Sequence, residues 1–396
     1  MKTDPRLYLA IDNCFAYKRY TRPIDWMHVI KDMGVNLVEA SADTECDPMY
    51  MGEEYTRDWI QEVNACSEKT GVRVKNVYSG HGTYSTLGLT HTDPRVRRRF
   101  LDCWMKAQAR TAAGVHAGFG FFAHGVDESI LQDSAAYHAV LDDLYGSLAE
   151  LASYCRELHM NYVGLEQMYT PHMPPWTLDG ARTLLREVLA RSGNAPIYIT
   201  VDLGHMNGQQ FFQKPTPDYI MEKIALRKSG APAKRVWMGS RKAMGFYLDA
   251  CADKISESDA IQAILEDVEK NPHLFAKPED GDVLQWVREF ACYSPIMHLQ
   301  QSDGKSSPHW PFSPEYNAKG IIDGAAVMQS IIESYDQPDL PGMPPKCDEI
   351  TLTLEPFVGT AGSIFDACEE IAVSVDYWRQ FVPRDGMRLS ELPHLR

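Results

Sequence analysis

The sequence predicts an α/β protein of the (β/α)8 TIM-barrel class, on three observations. Short β-rich runs alternate with longer helical patterns, eight such runs occur, and no GxGxxG phosphate loop follows the first of them. Alternation of this kind implies parallel βαβ units. Eight is the number of strands that closes the barrel, whereas doubly wound sheets carry a glycine-rich turn after strand one.

Each element can be read in order. LYLAID is the first strand, and the helix DWMHVIKDMG leads from it to NLVEASAD, which runs to Asp43. WIQEVNACSEKTG precedes the third strand, VRVKNVYSG at 72–80, and a long helix from Pro94 to Gly114 precedes GFGFFAHG at 118–125. LYGSLAELASYCREL precedes NYVGLEQ at 161–167, and ARTLLREVLARSG precedes PIYITVDLGH at 196–205. SPIMHLQQSDG (294–304), a helix over 319–335, EITLTLEPF (349–357) and the helix SIFDACEEIAVSVDYW complete the round. One interval breaks the rhythm, because about a hundred residues separate Asp202 from Gln300 where one helix would suffice. Residues 206–280 read as a helical insertion within a single 1–396 barrel domain, with helices near 216–227 and 257–270. Its loop KSGAPAKRVWMGSRK is the most basic stretch of the chain. It is either a solvated or oligomer-contact loop, or a lid that grips phosphate.

Composition narrows the function. With 396 residues, 44% of them hydrophobic, the chain can bury a large core. A net charge of −15 argues against nucleic acid and anionic lipid as partners. No run approaches a membrane span, and MKTDPRLYLA lacks the pattern of a signal peptide. Nine scattered cysteines without a CxxC pair read as reduced thiols. The expectation is therefore a cytoplasmic protein, and a homo-oligomer.

In this fold chemistry sits at the C-terminal ends of the strands, so polar residues closing apolar runs are the informative ones. Glu166 ends NYVGLE, Asp202 ends IYITVD, Gln300 or its neighbour His298 ends PIMHLQ, and Glu355 follows EITLTL. Carboxylates meeting at one barrel mouth repel, and desolvating them unpaired is costly. A divalent cation relieves both problems, and an oxygen-rich set suits Mg²⁺, Mn²⁺ or Co²⁺. His205 in DLGH, and His81 and His124 beside glycines in YSGHG and FAHG, are candidates for ligand contact or for a structural role. Glu39 in LVEA is equally open. Neither HExxH nor GxSxG occurs, so zincin and serine-hydrolase chemistry have no support.

The succession GLEQ, TVDLGH, HLQQSD, KGIIDG and LTLEPF resembles the xylose-isomerase-like barrels, which include ketose 3-epimerases and endonuclease IV. THTDPRVRRRFLDCWMKAQARTAAGVHAGFGFFAHG looks like that family's third helix and fourth strand, and the likeness runs over about 60–360 apart from the insertion. It implies that Glu166, Asp202 and Glu355 are metal ligands. The family's strand-7 ligand is a His three residues before an Asp; here Asp303 puts Gln300 in that slot, with His298 as the alternative register. Two sugar-gripping positions also depart from the family. His172 stands where an acid is usual, and Ser306, beside Lys305, stands where an Arg is usual. The pocket is thereby less negative, which favours a substrate carrying phosphate or carboxylate.

The chemistry the resemblance implies is inversion at C3 of a small ketose through a metal-stabilised enediolate. Glu166 and Glu355 are then the acid and base, and His205 holds the carbonyl oxygen. The opening MKTDPRLYLAIDNCFA is similar to that of tetrulose-phosphate 3-epimerases, which makes erythrulose 1-phosphate an example of the substrate. The alternatives are an aldose–ketose isomerase and a decarboxylase of a 3-oxo sugar acid on the same site.

Overall fold

The computed structural model describes residues 3–80, 86–122, 124–232, 234–357, 359 and 361–392. Eight strands form its centre: β1 (Arg6–Asp12), β2 (Leu37–Ser41), β3 (Arg73–Ser79), β4 (Gly118–Phe121), β5 (Val163–Glu166), β6 (Tyr198–Asp202), β7 (Ile296–Leu299) and β8 (Glu349–Leu354). Each pairs in parallel with the next, and β1 pairs with both β8 and β2, so the sheet is closed. A short β9 (Met387–Arg388) adds antiparallel to the start of β1. Closure removes the unpaired edges that an open sheet would expose.

Strands β2, β4, β5, β6 and β7 are buried from end to end, as expected of parallel strands covered on the outside by helices. Alternate residues point into the barrel, where the residue size must suit the space. The run GFGF in β4 shows why glycine is needed there: a Cβ on Gly120 would lie 2.6 Å from Asn76 Nδ2 and 2.8 Å from the Tyr78 ring. Both of those polar side chains of β3 belong to the site below. The helix from Pro94 to Gly114 is continuous, with a π-helical stretch over Phe100–Met105. Among the described residues, no helix is long and apolar enough to cross a membrane.

Between β6 and β7 lie helices Pro217–Lys228, Arg241–Cys251 and Glu257–Lys270, followed by the barrel helix Val283–Phe290. Side chains of Thr216, Ser240 and Ser256 accept from the backbone N–H of Tyr219, Ala243 and Asp259 and so start the first three. The Arg241–Cys251 helix lies outside the two helical segments read from the sequence. The three helices bury Ile220, Ile224, Tyr247 and Ile264 in a hydrophobic cluster distinct from the barrel core. That cluster is completed by Val126, Leu131 and Tyr137, which follow β4.

One buried acid outside the barrel mouth gives a testable pH dependence. Glu45, in the turn Ala42–Glu45 after β2, accepts from Trp59 Nε1 at 3.0 Å, and burial lifts its pKa from 4.5 to about 7. The folded state therefore holds a proton that the unfolded chain releases above pH 4.5. Its contribution is intact below pH 4.5, declines as pH rises to 7 and is constant above that. Urea unfolding across this window should show a loss of up to about 3 kcal/mol from this group. Glu45→Gln, which keeps an acceptor for Trp59, should flatten the slope; an unchanged slope would assign it elsewhere.

Candidate active site

The strand ends bring a cluster of acids around one imidazole. His298, in the middle of β7, is fully buried. Its Nδ1–H donates to Glu166 Oε1 at 3.0 Å and lies 3.5 Å from Glu355 Oε2 and 3.9 Å from Asp202 Oδ2. Its Nε2 lies 2.7 Å from Glu39 Oε1, on the side away from the mouth. The Tyr78 ring packs edge-on against the imidazole at 4.9 Å, and the Tyr78 hydroxyl donates to Glu166 Oε2. Asn76 Nδ2 donates to Glu39 Oε2 at 2.6 Å. Strand register explains the convergence: Asp12 is paired with Glu39, Glu39 with Asn76, and Asp202 with His298.

The electrostatics follow from this crowding. Burial opposes a charge on His298, but the carboxylates of Glu39, Glu355 and Glu166 outweigh it and hold its pKa well above the usual value. Burial drives the Glu355 carboxyl well above the carboxylate range; His298 offsets this in part, while Asp202, Asp12 and Glu166 add to it. Asp12 is pushed up to about 8 by burial and by Glu39. Asp202 is moved the other way: burial would raise it, but His205, His309 and His298 and the Gln300 amide together lower it.

This donor set fits a divalent cation. Glu166, Asp202 and His298 each offer a ligand atom, and these atoms lie within 4.8 Å of one another. That spacing is compatible with metal–ligand bonds of about 2.0–2.2 Å. Glu355 Oε2 is buried and, among the described residues, makes no hydrogen bond. An acid-rich, buried cluster with an unsatisfied carboxylate oxygen has the chemistry of a metal site.

Strand 7 sets its two candidates, His298 and Gln300, against different partners. The Gln300 Nε2 donates to Asp202 Oδ1 and Oδ2 at 2.9 and 3.0 Å. Its Oε1 accepts from the Ser307 hydroxyl and the His309 backbone N–H at 3.0 and 2.9 Å. The amide oxygen is thus engaged away from the acids, and Gln300 orients Asp202 while His298 lies with Glu166 and Asp202. Gly204 is needed beside it, because a Cβ there would overlap the Gln300 carboxamide.

Other expected residues are distributed unevenly. His205 Nδ1–H donates to the Gln167 carbonyl at 2.9 Å, and its Nε2 is 3.9 Å from Asp202 Oδ2. The ring lines a cavity of about 240 Å³ together with Glu166, Glu355, Asp12 and Tyr78. Lys305 lines an adjoining cavity of about 460 Å³. His124 is fully buried, donates from Nε2 to the Pro174 carbonyl and lines neither cavity; burial holds its ring neutral, with a pKa of about 4. His172 is exposed at the surface, and also lines neither cavity, so the loop between β5 and its helix carries it past the mouth. His81 lies outside the described residues.

Asp12, Tyr78 and His309 were not singled out from the sequence. Asp12 carried the same signal as Glu166, an acid closing an apolar strand. Tyr78 shares the inward face of β3 with Asn76. His309 arrives through a loop folded back by the Gln301–Trp310 bridge, and its Nδ1–H donates to the Glu355 carbonyl at 3.2 Å.

Comparison with known proteins agrees with this architecture. A D-erythrulose 1-phosphate 3-epimerase from Brucella abortus (strain 2308) is 31% identical over 70 residues, which is 18% of this chain and 23% of that protein. The aligned stretch thus spans under a quarter of the relative. The fold is similar to that of a candidate xylose isomerase from Rhodospirillum rubrum, with a TM-score of 0.66 at 16% identity, covering 93% of this chain and 97% of that one. It is also similar to a D-psicose 3-epimerase, with a TM-score of 0.51 at 11% identity, covering 94% and 98%. The model of the xylose isomerase-like TIM barrel family matches residues 27–232. With the closed eight-stranded barrel and more than half the chain matched, this protein belongs to the xylose isomerase-like TIM barrel family.

Proposed function

We propose that the protein is a divalent-metal-dependent epimerase of a small ketose or ketose phosphate, inverting the carbon next to the carbonyl. The observation that carries this reading is the pairing of Glu166 and Glu355. They come from strands three apart, approach His298 Nδ1 to 3.0 and 3.5 Å and line one cavity. Inversion needs an acid/base group for each face of the carbon, and two carboxyls entering from different strands supply that. The name of the Brucella relative supports the same chemistry, with erythrulose 1-phosphate as the first substrate to try.

A Mg²⁺, Mn²⁺ or Co²⁺ ion held by Glu166, Asp202, His298 and Glu355 would supply a Lewis acid for the charge that grows on the ketose oxygen. The remaining work falls to the protein's own groups. One glutamate takes the C3 proton, and the other returns a proton to the opposite face. Tyr78 fixes Glu166 through its hydroxyl, and Gln300 fixes Asp202. His205, its ring held by the Gln167 carbonyl, offers Nε2 to a substrate oxygen.

The test is proton NMR in D2O of the metal-loaded protein with erythrulose 1-phosphate, beside free ketoses. Deuterium entering at C3 with the inverted configuration appearing is the expected result. Exchange at C1 with an aldose product would make the protein an isomerase, and no exchange with any ketose would overturn the reading. Chelation should abolish turnover reversibly, with Mn²⁺, Co²⁺ or Mg²⁺ restoring it. Full activity after exhaustive metal removal would end the Lewis-acid role.

A further inference from the structure

The two adjoining cavities have opposite electrical character. Among the described residues, the smaller one is lined by the acids Asp12, Asp43, Glu166 and Glu355 and by no Lys or Arg. The larger one, about 460 Å³, is lined among the described residues by Arg235 and Lys305 and by no acid. The two meet across Tyr169, His205 and Ser307, which line both. A molecule reaching from one into the other would therefore have its reacting end among acids and its far end between cations.

Arg235 comes from the insertion and Lys305 from the loop after β7. Among the described residues neither cation is paired with a carboxylate. The Arg235 guanidinium stands 3.9 Å over the Phe211 ring, and its carbonyl accepts from the Tyr219 hydroxyl at 3.3 Å. Its backbone is left-handed, with φ of 55°, an arrangement that a non-glycine residue adopts at some cost in energy. The Lys305 backbone N–H donates to Asp303 Oδ1 at 2.9 Å, and Lys305 lines the cavity from that loop. In a chain of net charge −15, two unpaired cations facing one cavity run against the overall field.

We infer that Arg235 and Lys305 form a phosphate-binding subsite, built by the insertion and the β7 loop, which makes phosphomonoesters the substrates of this protein. The charge count selects phosphate over carboxylate. A phosphomonoester carries about −1.5 to −2 at neutral pH and presents three acceptor oxygens, whereas a carboxylate carries one charge. A guanidinium grips two phosphate oxygens at once, and an ammonium adds a point charge. Phe211, Phe212 and Trp237 line the same cavity and give it an apolar wall. Anchoring the far end in this way would hold the carbonyl end between Glu166 and Glu355, so that remote binding energy serves orientation.

The inference rests on the proposed ketose chemistry for the reacting end only, and its test separates the two. The Mg²⁺-loaded protein is titrated calorimetrically with inorganic phosphate, as wild type, Arg235→Ala and Lys305→Ala. Both side chains are solvent-accessible, and thermal melts verify that the variants fold. Phosphate affinity should fall about 10- to 100-fold in each variant, the range for losing one charge-assisted contact. In parallel, the ratio of kcat/KM for a ketose phosphate to that for the same free ketose should fall at least tenfold, through KM. Unchanged phosphate affinity in both variants would overturn the subsite, as would acetate binding as tightly as phosphate. Weakened phosphate binding without any carbon-bound exchange would keep the subsite and reject the ketose reading. Exchange that is equally efficient with and without phosphate would keep the ketose reading and reject the subsite.

Discussion

Glu355→Gln should leave the barrel folded and lower turnover by about 10²- to 10⁴-fold, the usual worth of a general acid or base. The amide matches the carboxyl in shape, so packing around β8 is preserved, but it can neither take nor release a proton at neutral pH. Glu355 has no hydrogen bond to lose through Oε2, so the substitution removes chemistry rather than structure. Glu166→Gln should lose activity to a similar extent with a larger structural effect, because Tyr78 and His298 both donate to that carboxylate. Measured at saturating metal and substrate, the loss should appear in kcat. Activity within tenfold of wild type in either variant would remove that residue from its acid/base role.

His298→Leu should have the largest effect on stability. The imidazole is the positive partner of Glu39 and Glu166 in a fully buried setting. Removing one partner of a buried charge pair costs about 3–5 kcal/mol, since the other charge is left uncompensated. Thermal unfolding in the presence of chelator should report this directly. A second arm identifies the strand-7 ligand. Added Mn²⁺ should raise the melting temperature of wild type, because a ligand that binds only the folded state stabilises it. That rise should survive Gln300→Ala and vanish in His298→Leu. The reverse pattern would make Gln300 the ligand and His298 only a structural cation.

Much of this was legible in the sequence, for a physical reason. An acid at the end of an apolar strand is conspicuous because burying it is costly, and this signal marked Glu166, Asp202 and Glu355. The same signal stands at Asp12, which closes LYLAID. His298 and Gln300 illustrate its limit: they lie two residues apart at the end of β7, and periodicity cannot say which lies at the level of the acids. Depth depends on barrel stagger and on which neighbour completes each hydrogen bond. Here Ser307 and His309 occupy the Gln300 oxygen. The loop histidines are ambiguous in sequence for a related reason. His124 and His172 sit near strand ends in sequence, but one is taken by the Pro174 carbonyl and the other is carried to the surface. His309 enters only because its loop folds back on β7. The Arg241–Cys251 helix follows directly on the basic loop, whose charged residues mask the Ser240 cap and the apolar positions beyond.

The separate cluster beneath the three inserted helices has a thermal consequence. The wall of the larger cavity stands on Ile220, Tyr247, Ile264 and their neighbours, while the barrel stands on its own core. Warming the protein can therefore soften that wall while the sheet is still intact. Substitutions among Ile220, Tyr247 and Ile264 should therefore lower the temperature at which the far end of a ligand loses its grip more than the temperature at which the barrel melts.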